Sequence, residues 1–171
     1  MSMDIPCEVC TILPEIKPEY TIIDSPFWIA NLRDTDQTLV GTTFITAKRH
    51  VPELDELTPD EDLDFIVVRN SLFRAIKTSF DPITFNTSCL KNDAFRDKPD
   101  HTLTEAGHVH WHIKPRYTSL AQTINGERFV DPAPGRYLEL SSFKQHQPTE
   151  ETARQIASLI RRNLPEYPTP V

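Results

Sequence analysis

The chain of 171 residues has only four glycines, Gly41, Gly107, Gly126 and Gly135. They cannot make GxGxxG or GxxxxGK[ST], so the common dinucleotide fingerprint and the P-loop are both excluded. Cysteine is equally scarce, at Cys7, Cys10 and Cys89. An odd number leaves a free thiol, and a chain of this length folds without a disulfide framework. Both points predict a reducing, cytoplasmic setting. No apolar run approaches the roughly 18 residues of a membrane span. The opening MSMDIPCEVC lacks the basic start and apolar stretch of a secretory signal. Positive charge is in deficit, with 18 Lys+Arg against 25 Asp+Glu and a net charge of −7. That argues against a general nucleic-acid binder. An anionic ligand would have to be met by local donors.

What is present is a globular composition, with 38% hydrophobic and 25% charged residues, and a length that suits one domain. Residues 1–19 hold a CxxC and three prolines and predict an irregular or metal-tied arm. Residues 20–32 predict two short strands parted by Ser25-Pro26, and β-branched 38–46 predicts the return strand. Thr58, Pro59 and Glu61 make a helix-start signature, so a helix is expected over 59–78. Its apolar residues Leu63, Ile66, Val67, Phe73 and Ile76 follow mostly helical spacing. A strand over 83–90, a polar loop over 91–106 and a strand over 108–114 come next. Residues 118–147 carry little periodicity. A last helix is expected over 150–163, with Ala153, Ile156 and Ile160 as its apolar stripe and Pro165 beyond it. The order β–β–β–α–β–β–α predicts an α+β fold with an antiparallel sheet.

The informative segment is His108-Val109-His110-Trp111-His112-Ile113. Alternation puts the three histidines on one strand face and Val109, Trp111 and Ile113 on the other, toward the core. The histidines could hold a metal. On one flat strand, however, His108 and His112 have Cα atoms roughly 13 Å apart, too far for all three to share an ion without strain. Alternatively, one imidazole is a nucleophile whose neighbours orient it or hold phosphate oxygens.

HVHWHI followed by Lys114-Pro115-Arg116-Tyr117 resembles the histidine triad signature His-φ-His-φ-His-φ-φ, where φ is apolar. Asp36-Gln37-Thr38-Leu39-Val40-Gly41 resembles a hairpin of that family, and Lys48-Arg49-His50-Val51 resembles its stretch before the long helix. The resemblance covers about residues 7–117. It implies one domain over 1–171: an arm at 1–19, a core at 20–117 and an extension at 118–171. It implies a five-stranded antiparallel sheet with one long helix and a C-terminal helical extension, and a homodimer. It also implies hydrolysis or transfer at the α-phosphate of a nucleoside phosphate derivative, with a purine base. His110 would be the nucleophile and His112 would contact the phosphate. Asn86 would donate an amide near it, and Asp34 would hold the ribose hydroxyls. Where the family carries Gly-Gln-Ser or Gly-Gln-Thr, this chain reads Thr104, Glu105, Ala106 and Gly107. Thr104 is then the expected hydroxyl, and Glu105 would repel phosphate if it pointed inward.

Alone, Cys7-x-x-Cys10 fits zinc, a redox pair or coincidence. The resemblance implies a structural zinc on Cys7, Cys10, His50 and His108, and no organic cofactor. Two readings from other classes remain: a nucleotide-binding module without turnover, and a zinc-dependent hydrolase using His108 and His110. Cys89, Trp28 and Trp111 are expected in the core, and His101 and His146 at the surface. Lys114 and Arg116 could assist at the site, with Arg116 beyond Pro115 equally a surface or interface residue.

Overall fold

A computed structural model of the chain describes residues 7–91, 107–136 and 144–166. The described part of the N-terminal arm is helical rather than irregular. Helix α1 (Glu8–Ile12) is capped by the Cys7 sulfur, which accepts from the Cys10 amide, and it runs into a 3-10 turn over Leu13–Glu15 that contains Pro14.

Strands β1 (Thr21–Asp24) and β2 (Trp28–Leu32) flank the Ser25-Pro26 break as expected. Strand β3 (Thr43–Ala47) starts later than residue 38 because a tight turn precedes it. The buried Gln37 amide donates to Arg33 O and Thr42 O and accepts from Gly41 N, each at 2.8 Å. Gly41 has φ +84°, and a Cβ there would meet Phe80 at 3.2 Å.

Helix α2 (Pro59–Phe80) carries the predicted capping box. The Thr58 hydroxyl accepts from Glu61 N, and the Glu61 carboxylate accepts from Thr58 N. Its buried face is Val68, Leu72, Ala75, Ile76 and Phe80, whereas Leu63 and Ile66 are exposed. At about 100° per residue, Ile66 lies roughly 200° around the helix from Val68, so the sequence stripe had merged two faces.

Strands β4 (Thr84–Ser88) and β5 (His110–Arg116) complete an antiparallel five-stranded sheet in the order β1-β2-β3-β5-β4. This is the α+β architecture expected from the sequence. One face carries α2. Trp28 Nε1 donates to Glu61 O at 2.7 Å, and Phe65 stacks on Trp111 at 5.3 Å. Val109 and Ile113 are fully buried, and Cys89 packs against the same core. His110, His112 and Lys114 therefore lie on the opposite face.

Residues 118–147 are more structured than their pattern suggests. Strands β6 (Gln122–Ile124) and β7 (Glu127–Phe129) form a hairpin across Asn125-Gly126, at φ +51° and +78°. Helix α3 (Glu150–Arg162) follows, capped by Thr149, with Ala153, Ile156 and Ile160 buried. It packs on α2, β1, β2 and β6. Arg116 is buried, neither at the surface nor in the lining of the cavity described below. It donates to both Asp131 oxygens, at 2.7 and 3.2 Å, and to Ala133 O and Arg136 O. This clip fastens residues 131–136 over the end of β5. No helix among the described residues is long and apolar enough to cross a membrane.

Candidate active site and metal centre

A cavity of about 440 Å³ opens on the sheet face away from α2. Strand alternation supplies its floor: Phe44 and Thr46 from β3, His110 and His112 from β5. Val9, Ile12, Leu13 and Ile16 wall one side, and Arg33 and Asp34 lie where β2 enters its turn. The Gln37 amide holds that turn, since it accepts no movement of the Arg33 carbonyl without losing a buried bond.

His110 Nδ1 lies 2.9 Å from His108 O. A carbonyl only accepts, so Nδ1 carries the proton and Nε2 of the neutral ring has the lone pair. His112 Nε2 stands 3.2 Å from that nitrogen and so is its donor. Phe44 meets the His112 ring edge-on at 4.9 Å, which limits how that imidazole can tilt. The arrangement offers an in-plane nitrogen nucleophile beside an N–H suited to an anionic oxygen. Asp34 faces the same cavity and makes no hydrogen bond or ion pair with described residues. Asn86 is the register partner of Lys114 on the histidine face, exposed and outside the cavity lining. Thr104 and Glu105 lie outside the described residues.

Cys7, Cys10, His50 and His108 converge next to the floor. Their ligand atoms all lie within 4.8 Å of one another. His108 Nδ1 is 3.4 Å from both sulfurs, and His50 Nδ1 is 3.3 Å from Cys10 Sγ. Tetrahedral zinc with ordinary bond lengths places sulfur and nitrogen about 3.6 Å apart, so the cluster fits that ion. The tautomer fits too. His108 Nε2–H donates to Ala47 O at 2.8 Å and leaves Nδ1 as the ligand atom. Burial lowers the His108 pKa, aided by His50 and His110, which keeps the ring neutral. Burial and Cys7 push the Cys10 thiol up to about 11, so two thiols crowd this spot in the absence of a cation. The sequence put these four residues together only through the family resemblance. Arg33 and Phe44 went unrecognised as cavity residues, because only the cross-strand register brings them to the histidines.

No family model matches the chain. A relative described as Protein hit, from Bacillus subtilis (strain 168), is 29% identical over 111 residues, which are 65% of this chain and 71% of that protein. The structure resembles a hypothetical histidine triad nucleotide-binding protein from Sulfolobus tokodaii strain7, with a TM-score of 0.59 and 18% identity over 92% of this chain and 91% of the other. It also resembles a Zn-bound histidine triad family protein from Mycobacterium smegmatis, with a TM-score of 0.54 and 19% identity over 91% of this chain and 94% of that one.

Proposed function

From a chain with the histidine triad fold, we propose an enzyme that acts on a nucleoside phosphate derivative at its α-phosphate, with His110 as covalent nucleophile. The observation that carries this reading is the fixed tautomer of His110, a cavity-lining residue whose Nε2 lone pair accepts from His112 Nε2–H. Substrate phosphate would take the place of His110 as acceptor for the His112 donor. Nε2 of His110 then attacks phosphorus, and the bond from phosphorus to the leaving group breaks. Water later cleaves the phosphorus–nitrogen bond, releasing the nucleoside monophosphate and the neutral imidazole. Asp34 is suited to the ribose hydroxyls, as a cavity carboxylate with no hydrogen bond or ion pair to the described residues. Asn86 and Thr104 are proposed as further donors to the phosphates.

Zinc on Cys7, Cys10, His50 and His108 is proposed as structural, because four protein ligands leave no open position for chemistry. When bound, the ion would cross-link α1 to the residue whose carbonyl orients His110. A homodimer is also proposed. The β4 edge of the sheet is flanked by exposed Ile83 and Leu90, which suits pairing with a second copy. Free thiols at Cys7, Cys10 and Cys89 suit a reducing, cytoplasmic setting.

Intact-protein mass after brief incubation with adenosine and guanosine substrates tests the reading. The expected result is a gain of one nucleoside monophosphate in the wild type and none in His110→Ala. Nucleotide binding without adduct or product would replace this reading with a binding module.

A further inference from the structure

We propose that Lys114 and Arg33 form a subsite for a second phosphoryl group of the substrate, one step along the sheet from the histidine pair. The inference rests on the nucleotide reading above and narrows it: the preferred ligand carries a phosphoryl group besides the one attacked.

The sheet register makes the case. Lys114 shares the face of His110 and His112 and pairs with Asn86 across β4. On its other side, the Thr43–Ile113 pairing continues to Thr42 opposite Lys114. Arg33 N donates to Thr42 O at 3.0 Å. Asn86, Lys114, Thr42 and Arg33 thus make one transverse row, and Ser88, His112, Phe44 and Asn31 make the next. The rows are separated by about 6.6 Å, two residues of strand rise. A chain of phosphates running from the histidines along β5 would meet the Lys114 row.

Among the described residues the Lys114 ammonium has no competing employment. It is half-buried and makes no hydrogen bond or ion pair with described residues. Burial and the Arg33 charge lower its pKa, against the opposing pull of Asp36. The Asp36 carboxylate is already engaged, accepting from Thr38 N at 2.9 Å and Thr38 Oγ1 at 2.6 Å and lying 3.7 Å from Arg33. Arg33 lines the cavity, with its guanidinium over the Phe44 ring at 5.7 Å. A lysine with a structural role would rest on a carboxylate or carbonyl. This one instead stands at the last apolar position of the triad signature, beside a second cation, in a chain of net charge −7. Two adjacent cations that share one carboxylate, itself already hydrogen-bonded to Thr38, favour an added anion.

A second phosphoryl group on the 5′ chain and one on the ribose share this chemistry, and the test separates them. Calorimetric titrations would use the 5′-monophosphate, the 5′-diphosphate and the 3′,5′-bisphosphate of adenosine and of guanosine. The proteins are the wild type, Lys114→Leu and the more conservative Lys114→Gln. One doubly phosphorylated ligand should bind the wild type about tenfold more tightly than the monophosphate, the effect of one charge-assisted contact. In both variants that ratio should fall toward one. Which ligand shows the gain identifies the source. A wild type that binds the monophosphate but shows no gain, or a gain that survives both substitutions, overturns the subsite and leaves the nucleotide reading standing. A wild type that binds none of these ligands overturns both.

Discussion

His110 has its tautomer set by a backbone oxygen, the His108 carbonyl at 2.9 Å, and no carboxylate is needed to orient it. His110→Ala should lower turnover at least about 10³-fold, as loss of a covalent nucleophile does. Circular dichroism and thermal unfolding should show an intact fold, since the ring is only half-buried. Glu61 gives a second prediction. Its carboxyl is held down at about 2 by Arg49 and by the Thr58 donors, against burial. The folded value lies below the ordinary one near 4.5, so the stabilisation is complete above that pH. It should be lost as pH falls from about 4.5 toward 2. Glu61→Ala should flatten the acid limb of a urea-stability profile and cost about 1 kcal/mol at neutral pH through the broken cap. The histidines were legible in the sequence because strand alternation is local. Lys114 was legible only as a cation beside the triad, and Arg33 not at all, because their juxtaposition depends on a pairing between strands about eighty residues apart in the chain.

At the scale of elements, α1 links two sites. Cys7 caps it and Cys10 lies within it, while Val9 and Ile12, with Leu13 just beyond, turn into the cavity wall. On the proposed zinc and nucleotide sites, a chelator or Cys10→Ser should therefore weaken nucleotide binding as well as remove metal. Equilibrium titration and metal analysis on the same samples would check this. The Arg116–Asp131 clip is a second such device, and Asp131→Ala should destabilise the fold by about 3–5 kcal/mol because it leaves a buried guanidinium unpaired. Denaturant unfolding would measure that loss. The long helix was legible from its capping box, and the final helix from its single apolar stripe. The β6–β7 hairpin was legible in principle from Asn125-Gly126, a strong signal for a two-residue turn, but its strands are too short for periodicity to register. The arm's helix was obscured by Pro14, which sits just beyond α1 rather than inside it.

For the whole molecule, composition and element order sufficed for the antiparallel α+β fold, because hairpin connections leave few alternatives. Net acidity and the cation pair at Arg33 and Lys114 belong together: a chain at −7 repels anions at long range and admits them where local donors converge. The covalent step proposed at His110 is tested most directly by intact mass of the wild type and His110→Ala, quenched without strong acid after brief exposure to a nucleoside phosphoramidate and a dinucleoside polyphosphate. One added nucleoside monophosphate is expected on the wild type and none on the variant. Turnover retained by His110→Ala, or an adduct that persists in it, would contradict the assignment.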